Sequence, residues 1–174
     1  MAGKIYLLQD DGNLQSMSER SYVTEERLQV LLRDYPDLLA GDQIDEDQPR
    51  RWLLVSREVG VPFEEEGREW MSLDHLFLDQ DAVPTLVEVK RSSDTRTRRE
   101  VVGQLLDYAS NAVAYWTVER LRAQFEAVCD ERSEEADQLV ASLIKSDVTD
   151  TAAVEDFWER VATNLQAGKI RLIF

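Results

Sequence analysis

The sequence has little of what a disulfide-bonded or membrane-inserted protein needs. Its one cysteine, Cys129, cannot form an internal disulfide bond. No apolar run reaches the roughly 20 residues of a membrane-spanning helix, and the N-terminus lacks the basic-then-apolar layout of a signal peptide. We therefore expect a cytoplasmic protein that does not use a membrane as a partner.

Basic residues are also scarce. The 20 lysines and arginines stand against 35 aspartates and glutamates, which gives a formal net charge of −15. This charge argues against indiscriminate binding to nucleic acid or to anionic membranes. One segment is basic although the chain as a whole is acidic. It contains a single acidic residue, Asp94, and its basic residues are Lys90, Arg91, Arg96, Arg98 and Arg99. A basic patch in an acidic protein needs a local explanation.

Length and composition are those of a globular domain. The 174 residues suffice for one domain with a sizeable core. A hydrophobic fraction of 43% with 32% charged residues is typical of a folded chain. There is no low-complexity segment and no convincing internal repeat, so we expect a single domain over residues 1–174.

The first half of the chain predicts a hairpin, a helix and three strands. "KIYLLQDDGNLQSM" predicts a β-hairpin with its turn at Asp11-Gly12. Thr24 is a candidate N-cap for a helix that carries Leu28, Leu31, Leu32 and Tyr35 and is perturbed by Pro36. "WLLVS", "SLDHLFL" and "TLVEVK" predict strands, with an exposed acidic loop through Glu69 between the first two.

The second half predicts helices and one last strand. A helix begins near Arg98 and runs past Ala109, and further helices are expected at about 118–132, 134–145 and 152–167, the last capped by Thr151 and closed by Gly168. "KIRLIF" is a final strand. This order predicts an α/β fold, with the first helix and the Arg98 helix against one sheet. The last strand has nothing to cover its outer face, so we expect a further segment after Phe174.

One group of residues could carry chemistry. Glu88 and Lys90 lie two apart on a strand and so point to the same face, while Val87 and Val89 point to the core. Asp74 lies in the preceding strand, where cross-strand side chains come within about 5 Å. Two carboxylates at that distance repel each other unless a cation lies between them. Mg²⁺ takes oxygen ligands of this kind, and the Val89 carbonyl could add another.

Such a site would suit phosphodiester hydrolysis. A metal ion polarises a phosphoryl oxygen and lowers the pKa of a bound water, and Lys90 would orient that water and offset developing charge. The alternative is a solvated strand face with a weak surface ion pair. Three further features favour the site: Gln104 and Tyr108 share one helix face, basic residues stand between strand and helix, and Glu25 and Glu26 open the first helix.

These residues together resemble the PD-(D/E)XK nuclease superfamily. Asp74 followed by "EVK" at 88–90 is similar to its central motif, although Leu73 stands where the motif name has proline. "QLLDY" at 104–108 matches the QxxxY motif of the RecB-type branch. The resemblance implies a restriction-endonuclease-like core over residues 24–112 and a last core strand at 169–174. Residues 1–23 would then be an N-terminal hairpin, and 113–168 a helical insertion.

The resemblance also implies roles for single residues. Asp74 and Glu88 would hold Mg²⁺ or Mn²⁺, Lys90 would be the catalytic lysine, and Glu25 the acidic residue of the first helix, with Glu26 as the alternative. Gln104 and Tyr108 would contact the DNA backbone or position the active site, and a phosphate backbone would be bound by Arg91, Arg96, Arg98 and Arg99. We therefore expect a nuclease that acts on DNA. Two-fold dimers are common among such enzymes, so a homodimer is a further expectation.

Two other functions remain open at this stage. The first is a catalytically silent nucleic-acid-binding domain of the same fold. The second is a protein-interaction module that uses the helical insertion, where apolar residues at spacings of three and four form a stripe: Val118, Leu121, Phe125 and Val128. That stripe is also what a helix packed on its own sheet would carry. His75, the only histidine, is next to Asp74, and alternation favours a structural role for it.

Overall fold

The computed structural model describes residues 5–18, 24–62, 69–90 and 97–174. Within these ranges lie six strands and five helices, in the predicted order. The N-terminal hairpin is β1 (Ile5–Leu8) and β2 (Leu14–Met17); then follow α1 (Glu25–Asp34), β3 (Trp52–Pro62), β4 (Glu69–Asp79), β5 (Pro84–Val87), α2 (Thr97–Tyr115), α3 (Val118–Arg132), α4 (Ala136–Ile144), α5 (Thr151–Gln166) and β6 (Arg171–Ile173). No helix in these ranges is both long and apolar enough to cross a bilayer.

The main sheet has four strands in the order β3-β4-β5-β6. β3, β4 and β5 are antiparallel neighbours, and β6 lies parallel to β5, with Leu86 opposite Leu172. Helices α2 to α5 make the connection between β5 and β6, as a parallel pair requires. The α/β class expected from the sequence is therefore confirmed, with a mixed sheet.

The N-terminal part of α1 forms as its sequence predicts. Thr24 is the N-cap, because its side-chain oxygen accepts a hydrogen bond from the Arg27 N–H at 3.3 Å. Two acidic residues lie in the first turn, where the helix dipole favours them. The helix ends at Asp34, and Pro36 opens a single 3₁₀ turn. Tyr35 is thereby outside the helix and 62% exposed, so its expected place on the apolar face was wrong.

Strand lengths differ most from expectation. β3 continues to Pro62 and β4 begins at Glu69, so the exposed loop predicted through Glu69 is partly strand; its residues 63–68 are outside the described ranges. A long antiparallel ladder from Trp52 opposite Asp79 to Pro62 opposite Glu69 explains the difference. Main-chain hydrogen bonds extend this ladder whatever the polarity of the side chains.

The helical segment agrees closely with prediction, apart from its ends. α3 has the predicted bounds, whereas α4 begins two residues late, at Ala136. The cap of α5 is Asp150 rather than Thr151, since its carboxylate accepts a hydrogen bond from the Ala153 N–H at 3.0 Å. α2 extends to Tyr115 and so crosses the boundary expected after residue 112.

Each face of the sheet has its own core. α1 covers one face of the sheet. The core on that side includes Trp52, Leu54, Phe77, Val87 and Val89. The other face carries Leu76, Leu78 and Leu86 and is covered by buried residues of α2 to α5, among them Leu105, Leu121, Phe125, Val140 and Phe157. The first helix and α2 thus both pack on the sheet as expected, from opposite sides. The stripe on α3 is used in this core, because Leu121 and Phe125 are buried.

His75 has the structural surroundings that alternation favoured. Its side chain is fully buried, and its Nε2 lies 2.9 Å from the Gln29 carbonyl oxygen of α1. The ring stacks on Phe77 at 5.7 Å between centroids. Burial, the largest effect, lowers the pKa of His75 to about 4. The imidazole is therefore neutral at pH 7 and helps to hold α1 on the sheet.

We expect Gly41→Ala to destabilise the fold. A β-carbon at Gly41 would overlap the main-chain oxygen of Arg50, which cannot move as a flexible side chain could. Overpacking of this kind costs about 1–3 kcal/mol in the free energy of unfolding, measurable by urea denaturation.

The matched control is Gly103→Ala in α2, where a β-carbon meets no described atom within 4 Å apart from its chain neighbours and the backbone of its own helix. Alanine is favoured over glycine in a helix interior by about 1 kcal/mol, so this variant should be as stable as the wild type or slightly more so. Equal urea midpoints for the two variants would contradict the proposed steric conflict at Gly41.

Candidate active site

The candidate site lies where β4 and β5 separate. His75 opposite Val87 is the last residue pair of this ladder. Beyond it, the Val89 N–H donates to the Asp74 carboxylate (Oδ2) at 2.7 Å, not to a main-chain oxygen of β4. The Glu88 N–H still donates to the Ile173 carbonyl at 3.0 Å, which keeps the chain joined to β6. β5 therefore ends at Val87, and the prediction that the strand runs to Lys90 was wrong.

Glu88 and Lys90 are side by side, as the sequence predicts. The Lys90 ammonium lies 2.8 Å from Oε1 of Glu88. Glu88 is only 3% exposed, and its second oxygen, Oε2, is buried with no hydrogen-bond partner among the described residues. A buried carboxylate oxygen without a partner is costly, because nothing replaces its lost hydration. Glu88 thus retains capacity for one more cationic or hydrogen-bonding group.

Opposing effects act on Lys90. Burial is the largest and lowers its pKa, whereas the hydrogen bond to Glu88 and the charges of Glu88, Asp74 and Glu25 raise it. The net result is a pKa above the ordinary value of 10.5, so the ammonium stays charged at neutral pH. A fixed positive charge next to two carboxylates is what the sequence predicted for Lys90.

Asp74 has the opposite balance. Burial, the largest effect, and the charges of Glu88 and Glu25 raise its pKa, while the Val89 N–H and Lys90 lower it. The outcome is a pKa of about 6 instead of 3.8. Asp74 consequently binds a proton much more readily than an exposed aspartate does, chiefly because it is partly buried.

The structure separates the two acidic residues at the start of α1. Glu25 is half-buried and close enough for its charge to act on both Asp74 and Lys90. Glu26 is instead 2.6 Å from the guanidinium of Arg57. Glu25 is therefore the acid of α1 whose charge acts directly on the site, whereas Glu26 is paired with Arg57.

Gln104 and Tyr108 of α2 lie one turn apart and bond to each other, since the Gln104 amide donates to the Tyr108 hydroxyl. Tyr108 is 1% exposed and donates to the Ser72 carbonyl at 3.0 Å. Burial, opposed by the Gln104 bond, raises the pKa of Tyr108, so the phenol remains a donor. Of the two roles expected for this pair, positioning the active site fits better, because Ser72 is two residues before Asp74.

The side chains of the four arginines predicted to bind DNA lie outside the described part of the structure. Arg91 and Arg96 fall outside the described residues. Arg98 and Arg99 lie in the first turn of α2, but their side chains are likewise outside the described part. Their expected role in binding a phosphate backbone stays a prediction.

Two residues that the sequence did not single out adjoin the site. Gln29 of α1 donates to Oδ1 of Asp74 at 2.7 Å, and Arg57 of β3 donates to the Gln29 side-chain oxygen at 3.0 Å. A weak signal existed for Gln29, which lies four residues after Glu25 and so on the same helix face. No pattern in the sequence relates Arg57 to Asp74.

Asp74 and Glu88 are the side chains of this site that could hold a divalent cation. Among the described residues no group of three or more aspartate, glutamate, histidine or cysteine side chains is placed to bind a metal. Mg²⁺, however, commonly takes one or two carboxylates and keeps several waters. Oε2 of Glu88 has no partner among the described residues, and the pKa of Asp74 is raised mainly by burial, so a nearby cation would favour the ionised form of both carboxylates. The role of the Val89 carbonyl as a further ligand stays a prediction.

Comparisons of the chain with protein-family models, curated proteins and solved structures find no significant match. A function for this protein must therefore be argued from the chemistry of these side chains.

We expect the metal-free protein to lose stability as the pH rises from about 4 to about 6. The unfolded chain releases the Asp74 proton near pH 3.8 and the folded chain only near pH 6. Between these values the folded state binds more protons, so the free energy of unfolding falls with rising pH. Urea denaturation at several pH values would measure this slope. The Asp74→Asn variant should lack this contribution, and parallel curves for the two proteins would contradict the raised pKa.

Proposed function

We propose that this protein is a metal-dependent nuclease that hydrolyses DNA phosphodiester bonds. Asp74 and Glu88 are the ligands of Mg²⁺ or Mn²⁺, and Lys90 is the catalytic lysine. The observation that supports this most is the state of Glu88, a buried carboxylate with one oxygen on Lys90 and the other without a partner among the described residues. A solvated surface ion pair, the alternative for Glu88 and Lys90, does not require burial to 3% exposure.

Each residue has a definite task in this proposal. The bound metal ion supplies Lewis-acid activation of the phosphate and of a water molecule. Lys90, held by Glu88 at 2.8 Å, hydrogen-bonds the attacking water and offsets the negative charge that grows on the phosphate. Its pKa stays above the ordinary value, so it acts as a fixed charge and donor rather than as a general base at neutral pH. Glu25 adds negative charge that favours retention of the cation.

The order of elements supports a restriction-endonuclease-like core. α1, three antiparallel strands, α2 and a final strand parallel to the third follow the order that the resemblance implies. Asp74 lies in the middle one of the three strands, Glu88 and Lys90 follow the third, and Gln104 and Tyr108 are on the next helix. In this scheme α3 to α5 are an addition whose apolar residues join the core on the α2 side of the sheet.

DNA is the proposed substrate because of this resemblance and because of the local basic patch. A net charge of −15 disfavours binding along the whole surface. Contact with DNA would then be confined to the segment between β5 and α2, immediately after Lys90.

Cleavage assays test the catalytic role of Lys90. With Mg²⁺ or Mn²⁺ present, the wild type should cut labelled single-stranded, duplex or forked DNA, and Lys90→Ala should be slower by about 100- to 1,000-fold because it loses a charge aimed at the transition state. Lys169→Ala, at an exposed position just before β6, is the matched control and should cut at the wild-type rate.

Cutting that persists undiminished in Lys90→Ala would remove the proposed catalytic role. A folded wild type that binds DNA but cuts none of these substrates would instead favour the catalytically silent binding domain.

Metal binding is tested separately by thermal unfolding. Mn²⁺ should raise the midpoint of the wild type, since a ligand at about 100 times its Kd stabilises the folded state by about 2.7 kcal/mol. Glu88→Gln removes a carboxylate ligand and should abolish the rise, whereas Glu159→Gln, at an exposed position on α5, should keep it. An equal rise in both variants would show that the ion binds elsewhere.

A further inference from the structure

We infer that Gln29 is a positioning residue that fixes the orientation of Asp74 for metal binding. This inference rests on the proposed function. It starts from three hydrogen bonds that meet at one residue of α1. The Gln29 amide donates to Oδ1 of Asp74 at 2.7 Å, and its side-chain oxygen accepts from Arg57 at 3.0 Å. Its main-chain carbonyl lies 2.9 Å from Nε2 of His75.

The hydrogen-bond partners of the Gln29 side-chain amide determine which way its oxygen and its nitrogen point. The guanidinium of Arg57 can only donate hydrogen bonds, and an ionised Asp74 carboxylate can only accept them. The amide oxygen must therefore face Arg57 and the amide nitrogen must face Asp74. A side-chain amide between two ambivalent groups could turn over, whereas this one cannot do so without losing both bonds.

Arg57 is itself held in place. Its side chain is 17% exposed, and Oε2 of Glu26 accepts from its guanidinium at 2.6 Å. The same guanidinium nitrogen, Nη2, serves both Glu26 and Gln29. Hydrogen bonds with an ionised partner are shorter and stronger than neutral ones. A continuous chain thus runs from Glu26 through Arg57 and Gln29 to Asp74.

The main chain of Gln29 is anchored independently of its side chain. A carbonyl oxygen can only accept, so the proton of the neutral His75 ring is on Nε2. His75 is the residue after Asp74, and it is fully buried. The turn of α1 that carries Gln29 is therefore fixed against the part of β4 that carries Asp74, and the amide starts from a defined position.

The outcome is a carboxylate held from two sides. Oδ1 of Asp74 takes its bond from Gln29 of α1, and Oδ2 takes its bond from the Val89 N–H beyond β5. Each carboxylate oxygen can accept two hydrogen bonds or ligands, and the described residues supply one to each, which leaves one position on each for a cation. Groups that orient a metal ligand in this way typically contribute 10- to 100-fold to metal affinity or activity.

Two variants of Gln29 separate hydrogen bonding from packing. Gln29→Met keeps a similar volume and loses the bonds to both Asp74 and Arg57. Gln29→Glu keeps the size and the acceptor for Arg57 but, when ionised, cannot donate to Asp74. Both should fold, because main-chain bonding to His75 does not depend on the side chain. The control is Gln138→Met, the same change at an exposed position on α4.

The experiment measures Mn²⁺ binding by calorimetry and by the electron paramagnetic resonance spectrum of the bound ion, with thermal unfolding alongside. We expect Gln29→Met and Gln29→Glu to bind Mn²⁺ about 10- to 100-fold more weakly, with a changed spectrum of the bound ion. Gln138→Met should match the wild type in affinity and in spectrum. Asp74→Asn supplies the reference for a lost ligand.

The outcomes distinguish this inference from the proposed function. Wild-type affinity and spectrum in Gln29→Met, with binding lost in Asp74→Asn, would overturn the role of Gln29 and leave the metal site standing. Tighter binding by Gln29→Glu would likewise overturn it, because the residue would then act as an additional ligand. A wild type that binds no Mn²⁺ would remove both the metal site and the positioning role.

Discussion

The hydrogen bond from the Val89 N–H to the Asp74 carboxylate is the interaction on which the candidate site depends. It takes a main-chain donor out of the β4–β5 ladder and so ends β5 at Val87. Glu88 and Lys90 follow directly after this point, so the bond to Asp74 fixes the segment that carries both of them. The same carboxylate thereby shapes the backbone and serves as a candidate ligand, which ties the geometry of the site to its chemistry.

The two faces of the sheet have different tasks in maintaining this geometry. On one face α1 brings Gln29 and Glu25 to Asp74, and it is held there by His75 and by apolar contacts around Phe77. On the other face α2 anchors β4 through Tyr108 and Ser72, while α3 to α5 complete a larger core. Asp74 is thus reached from α1 through Gln29, and its strand is anchored from α2 through the bond between Tyr108 and Ser72.

Local pattern was enough to predict the central residues. Asp74 lies in β4, Glu88 and Lys90 directly follow β5, and a short turn joins the two strands; period-two alternation predicted Lys90 beside Glu88. Gln29 and Arg57 could not be found in this way, because their contact depends on how α1 lies across the sheet, and long-range packing sets that. The end of β5 at Val87 was also missed. The Asp74 carboxylate takes the place of a main-chain acceptor there, and the alternation of polar and apolar residues does not reveal such a replacement. The α/β class and most helix bounds followed from apolar periodicity. The cap of α5 was predicted one residue too late, at Thr151, because aspartate and threonine are both common N-cap residues.

The hydrogen bond between Glu88 and Ile173 has a consequence for when the site can form. Its two partners are separated in the chain by all of α2, α3, α4 and α5. Contacts between such distant segments form late in folding, because a long loop must close before they contribute. On the ribosome, Glu88 emerges well before β6, and its main chain gains its final partner only after the four helices have been made. Asp74, Glu88 and Lys90 therefore reach their final arrangement only after β6 has been made, and a chain that stops before β6 has the residues of the site without this main-chain bond.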